Sequence, residues 1–180
     1  MEDYWKMMSA GKCLGGGFIW TLVDEGVKRP DTGEIDLAGN QAPDGIVGPD
    51  REREGSFYAI KELWSPIQIT REANGSFTVE NHYSFINTED CEFTWQRLRF
   101  DSPDEPNASS SVVDEDTAAV PPIPPGGKGS FRLRLPKAEE RVDAIALRVD
   151  DPAGRELWTW TWPLSKAGNL RTLLNASVPE

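Results

Sequence analysis

Downstream of Pro66 the apolar residues recur at every second position, and this change of period limits the fold more than any other feature of the chain. Phe77, Val79, Asn81, Tyr83 and Phe85 alternate with Thr78, Glu80, His82 and Ser84. Successive side chains of a strand point to opposite sides, so such alternation marks strands with one buried face. Strands are expected at 66–71, 76–86, 91–100, 129–135, 142–149 and 156–164, with a hairpin turn at Asn74-Gly75. Within 91–100, Phe93, Trp95, Arg97 and Arg99 share one face, which therefore turns from apolar to charged along the strand. Trp158, Trp160 and Trp162 alternate with Thr159 and Thr161. Core packing is the favoured role for this tryptophan ladder, with an exposed binding face as the alternative. The Ser-, Asp- and Pro-rich span 101–127 reads as a surface connection, partly extended by Pro121-Pro122 and Pro124-Pro125. These spacings describe an immunoglobulin-like sandwich of about 100 residues, without the Cys…Trp…Cys pattern of antibody domains.

The first 65 residues follow a different grammar. Residues 2–10 read as a short helix, with Glu2 and Asp3 at its positive end, Tyr4/Trp5 and Met7/Met8 as an apolar stripe, and Gly11 as its stop. Leu14 to Val23 holds one polar side chain, Thr21, is entered through Gly15-Gly-Gly, and ends at Asp24-Glu25. A short apolar run bounded by glycines fits a strand buried on both faces of a parallel sheet. Trp20 falls near the end of that run, where side chains emerge into ligand clefts; a core tryptophan is the plainer reading. Residues 26–56 read as a long loop, with two turn signals around Ala42-Pro-Asp-Gly-Ile-Val-Gly-Pro-Asp-Arg51. Ser56 caps an expected helix over 56–63, apolar at Phe57, Ile60 and Leu63 (or Trp64) and stopped by Pro66.

Helix, buried strand, loop and helix make one unit of an α/β barrel, and one such unit cannot close a core. The expected architecture is therefore mainly β: residues 66–180 an immunoglobulin-like β-sandwich, preceded over 1–65 by a helix–strand–loop–helix remnant of a (β/α)8 barrel. On this reading the chain is a piece of something larger. Leu14–Val23, deprived of barrel neighbours, is expected to be disordered, to pair with another chain, or to refold against the sandwich.

A formal net charge of −11 argues against nucleic acid or an anionic membrane as partner, since phosphate binding needs a basic face. No apolar run approaches the ~18 residues of a membrane span. The N-terminus lacks the basic and apolar regions of a signal peptide, and compartment is not read from the sequence. Cys13 and Cys91 have no metal or redox spacing and read as free thiols packing as small hydrophobes. His82 reads as structural, and the sequons at Asn74, Asn107 and Asn175 as incidental. No cofactor motif is present. Asp24, Asp44 and Asp50 form at best a weak metal-ligand set.

At the level of motifs, Asp3-Tyr-Trp-Lys, Gly15-Gly-Gly-Phe-Ile-Trp20 and Val23-Asp-Glu-Gly26 resemble the end of the catalytic barrel in family 2 glycoside hydrolases, the β-galactosidase branch. There a run of the form Gly-Gly-Phe-Ile-Trp-Asp-Trp-Val-Asp-Gln-Gly forms the last barrel strand. Asp44-Gly-Ile-Val-Gly-Pro-Asp-Arg51 is similar to that family's Asn-Gly-Leu-Val-Phe-Pro-Asp-Arg segment. Phe57 to Ile67 resembles the closing helix and its exit into the next domain. Pro125-Gly-Gly-Lys and the tryptophan-rich final strand resemble the sandwich after the barrel. Thr21, Leu22, Asp44 and Gly48 depart from the family pattern, and the segment between the motifs is shortened. Galactose specificity is therefore not carried over.

The resemblance implies that Trp20 is the platform for a sugar's apolar face and that Asp44 lines the same pocket. It implies no catalytic residue in this chain, because the acid/base and nucleophile of a retaining glycosidase would both lie upstream of Met1. Asp24 and Glu25 cannot replace them, since neighbours on a strand face opposite ways. The expected role is a non-catalytic C-terminal portion of a β-glycoside-hydrolysing enzyme, partnered by the rest of the barrel, by carbohydrate in that parent, or by a second copy through Leu14–Val23. The rival reading is a free-standing β-sandwich module that binds carbohydrate or protein through surface tryptophans.

Overall fold

The computed structural model describes residues 1–11, 13–39, 41–102, 105–137 and 141–164, so the Asn175 sequon lies outside the described residues. The chain is mainly β, and its main-chain contacts divide it into two compact units, Met1–Ser65 and Pro66–Glu180.

In the first unit α1 spans Glu2–Ala10 and α2 spans Gly55–Leu63. Glu2 and Asp3 face the positive end of α1, and no residue of α1 is buried. The Trp5 and Trp64 rings meet with centroids 5.7 Å apart, joining α1 to the end of α2. Ser56 is not the cap of α2. Glu54 occupies that position without a side-chain cap, and the Ser56 hydroxyl donates instead to the carbonyls of Gly45 and Ile46, 3.3 Å from each.

The buried strand expected over Leu14–Val23 does not form. Leu14, Phe18, Trp20 and Leu22 are 51%, 105%, 77% and 62% exposed, and only Val23 makes a bridge, parallel to Val47. A doubly buried strand needs neighbours on both sides, and this unit offers one segment on one side. Val47 is the only buried apolar residue among its described residues. The loop expected at 26–56 contains a small hairpin, β1 (Val27–Lys28) against β2 (Ile35–Asp36), with Gly33 left-handed at its turn. The Arg29 guanidinium spans it, bonding Asp31 and Asp36.

The second unit is a sandwich of two antiparallel sheets. Strands β3 (Ile67–Arg71), β4 (Phe77–Asn81) and β7 (Lys128–Phe131) form one sheet in the order 3-4-7. Strands β5 (Glu92–Phe100), β6 (Ser110–Thr117), β8 (Ala144–Asp150) and β9 (Glu156–Pro163) form the other in the order 6-5-8-9. The Asn74-Gly75 turn joins β3 to β4 in the register Arg71↔Phe77, with Gly75 left-handed. Three expected bounds differ, and the first is the strand placed at 129–135, which ends at Phe131. The strand placed at 76–86 stops at Asn81, and the supposed connection 101–127 contains the edge strand β6.

One core joins the sheets: Ile67, Ile69, Phe77, Val79 and Phe131 meet Phe93, Trp95, Ile145, Leu147, Val149 and Trp160. Trp160 is buried, Trp158 and Trp162 pack half-buried against the core, and Trp162 meets Phe77 edge-on at 5.2 Å. The tryptophan ladder is therefore packing, not an exposed binding face. Cys91 packs against the same core, and burial pushes its thiol up to about 11. Cys13, expected to pack likewise, is exposed. His82 is exposed beside Glu80, 3.3 Å away.

Where the charged face of β5 begins, the Arg97 guanidinium is buried and bonds both oxygens of Asp114 and the Pro136 carbonyl. Across the other sheet, the buried Asn81 amide donates to the Ile86 and Ile123 carbonyls while its oxygen accepts the Tyr83 N–H. Thr88 accepts the Ile123 N–H and donates to the Pro121 carbonyl, so the proline-rich segment is fixed from both sides.

Candidate functional site

Two sequence-distant segments of the first unit zip together at the motifs singled out above. The Thr21 N–H donates to the Asp44 carbonyl at 3.2 Å, and the Ile46 and Val47 N–H groups donate to the Leu22 carbonyl at 3.1 and 3.0 Å. The Asp24 N–H donates to Val47 and the Glu25 N–H to Ala42, each at 3.0 Å. This pairing places Trp20 and Asp44 on adjacent stretches of chain, one peptide hydrogen bond apart.

Asp24 locks the arrangement. Its side chain is buried, and its carboxylate accepts the Gly45 N–H at 2.6 Å. A carboxylate held by a backbone N–H in a desolvated place makes a strong, directional bond. Gly45 is required there, because a Cβ would fall within 2.7 Å of the Val23 and Asp24 backbone. Glu25, the next residue, is exposed. Ser56 then ties this segment to α2 through the carbonyls of Gly45 and Ile46.

The edge so formed presents an aromatic plate and a free acid. Trp20 is 77% exposed, and its peptide bond to Thr21 is cis. Asp44 is exposed, and among the described residues its carboxylate has no hydrogen-bond or ion-pair partner. No cluster of three or more His, Cys, Asp or Glu among the described residues is arranged to hold a metal ion. The chemistry available at this edge is recognition: stacking on an apolar face and accepting hydrogen bonds or a positive charge. Sequence reasoning named Trp20 and Asp44 but missed Asp24 as the residue that joins their segments. Its place at the end of the apolar run, directly after Val23, was the available signal.

No protein-family model matches the chain. In sequence it is similar to the β-galactosidase of Priestia megaterium, 26% identical over 165 residues that make up 83% of this chain and 15% of the relative. It is 30% identical to the β-galactosidase of Pseudoalteromonas haloplanktis over 118 residues, 54% of this chain and 11% of that protein. The chain is related to glycoside hydrolases. It spans 15% or less of the length of these two relatives. Among solved structures, an exo-chitosanase of Amycolatopsis orientalis aligns with a TM-score of 0.35 and 16% identity over 68% of this chain and 14% of that one.

Proposed function

We propose that this chain is the non-catalytic C-terminal portion of a β-galactosidase-like, family 2 glycoside hydrolase. The parent cleaves β-glycosides by a retaining mechanism with two carboxyl groups about 5 Å apart. Residues 1–65 supply the end of the catalytic barrel and one wall of the sugar site, and residues 66–180 supply an immunoglobulin-like supporting sandwich. The observation that carries this reading is the pairing of 21–25 with 42–47, which brings Trp20 and Asp44 together on an exposed edge. The nearly coreless first unit supports it too. Tyr4, Phe18, Trp20, Leu22 and Tyr58 are exposed, as surfaces awaiting the rest of a barrel would be.

In that role Trp20 stacks on the apolar face of the sugar and Asp44 accepts from its polar groups, while the reacting carboxyls come from preceding strands. The rival module reading loses its ligand surface, because Trp95, Trp158, Trp160 and Trp162 all pack on or in the sandwich core. The test is hydrolysis of a panel of aryl β-glycosides by the 180-residue chain and by the same chain joined to its upstream coding sequence. Turnover by the longer protein alone is expected. Turnover by the 180-residue chain itself would overturn the proposal.

A further inference from the structure

We infer that the Trp20–Asp44 edge selects a sugar carrying a protonated amine over neutral sugars. This rests on the reading of Trp20 as a sugar platform and adds the substrate class.

Asp31 and Asp36 hold Arg29 and Asp24 is buried on the Gly45 N–H, whereas Asp44, like the exposed Glu25 and Asp50, keeps its carboxylate in solvent. Asp44 has no such partner among the described residues, yet its backbone is fixed at both ends. Its carbonyl receives the Thr21 N–H and its N–H reaches the Ala42 carbonyl at 2.9 Å. The following residue is pinned by Asp24. The anchored backbone fixes where the Asp44 side chain starts, so a ligand has only that side chain to order.

Trp20 precedes Thr21, whose N–H is bonded to the Asp44 carbonyl. A tryptophan face carries negative quadrupolar charge and attracts an ammonium group as well as the C–H face of a pyranose. Stacking alone does not separate neutral from cationic sugars. Stacking next to a free carboxylate does, because the same ring held on Trp20 brings its amino substituent toward an opposite charge. The chain's net charge of −11 adds a field that favours a cationic ligand and disfavours an acidic one. A neutral sugar offers Asp44 hydroxyl donors alone, whereas an ammonium group adds an opposite charge to the same hydrogen bond.

The experiment follows the Trp20 indole N–H in spectra of the 15N-labelled 180-residue chain, assigned by its loss in Trp20→Phe. The probes are methyl β-D-glucosaminide, its neutral N-acetyl derivative, and methyl β-D-galactoside. The glucosaminide is expected to bind about tenfold more tightly than either neutral sugar, with a preference that shrinks in high salt. Asp44→Asn is expected to erase the difference between the cationic and neutral probes. The substitution lies on an exposed side chain without partners, so loss of fold does not obscure the result. If neutral sugars shift Trp20 as strongly as the glucosaminide, the amine preference is overturned and the sugar-wall reading stands. If no sugar shifts Trp20 while Trp20→Phe leaves the rest of the spectrum in place, the amine preference is overturned, and turnover by the longer protein decides the sugar-wall reading separately.

Discussion

The Asp24 carboxylate accepts the Gly45 N–H at 2.6 Å, across 21 residues of intervening chain, in a unit whose described residues bury a single apolar side chain. Polar pairing there does work that a hydrophobic core does elsewhere. Asp24→Ala leaves a buried N–H without a partner, at a cost of about 1–3 kcal/mol to the local structure. Gly45→Ala drives a Cβ into the Val23 and Asp24 backbone and is expected to cost at least as much. Hydrogen exchange at Thr21, Ile46 and Val47 is the measurement. Both variants should accelerate it while the sandwich amides keep their protection, and unchanged exchange in both would show that Asp24 does not hold these segments together.

Asn81 plays the corresponding part in the sandwich, where it closes three hydrogen bonds while fully buried. Asn81→Leu strands the Ile86 and Ile123 carbonyls and the Tyr83 N–H together. A loss of about 2–4 kcal/mol is expected in denaturant unfolding of the chain, read from a sandwich tryptophan signal. A loss below about 0.5 kcal/mol would mean that water replaces the amide at little cost.

The acid stability of the sandwich follows from Asp114. The hydrogen-bonded Arg97 guanidinium holds its carboxyl below the usual carboxylate range. With the folded value depressed, the stabilisation is complete above the unfolded value of about 4 and is lost as pH falls through the folded one. Asp114→Asn should therefore be less stable than the wild type by a constant amount from about pH 5 to 8. The gap should close progressively below about pH 4. A gap that persists unchanged into strong acid would assign the defect to packing instead of charge.

Much of the sandwich was legible because period two reports a half-buried strand whatever the neighbours are. Ile67–Arg71, Glu92–Phe100, Ala144–Asp150 and Glu156–Pro163 all lie within a residue or two of their expected bounds. β6 was not legible, since Ser-Ser-Val-Val-Asp-Glu-Asp-Thr is polar on both faces, as suits a charged strand at a sheet edge. Leu14–Val23 was misread for a different reason. An apolar run shows that a segment is suited to burial, and whether this chain supplies the partners is decided elsewhere. Trp20 and Asp44 were visible through motif resemblance, whereas Asp24 gained its role only from a contact with a distant glycine.

The two cysteines should separate cleanly by chemistry. Burial raises the Cys91 thiol to about 11, so little thiolate is present near neutral pH, whereas Cys13 is exposed. Iodoacetamide at about pH 8 should label Cys13 within minutes and leave Cys91 until the chain is unfolded. Peptide mass spectrometry checks the order. Equal labelling of both in the folded protein would place Cys91 outside the core.

Leu14–Val23 carries no charged side chain and exposes Leu14, Phe18, Trp20 and Leu22 in one extended stretch. The aromatics alone can bury roughly 150–250 Å² each, a large share of the ~800 Å² per partner that a stable interface uses. A second copy is the occupant we propose for this edge, through strand pairing across a twofold axis. Sedimentation velocity should show a concentration-dependent monomer–dimer equilibrium, tightened by salt as the repulsion between two copies of charge −11 is screened. Phe18→Asp puts a charge at the centre of the patch and should shift the dissociation constant upward by about tenfold or more. A wild-type chain that stays monomeric at high concentration and high salt would show that the exposed run does not pair with itself.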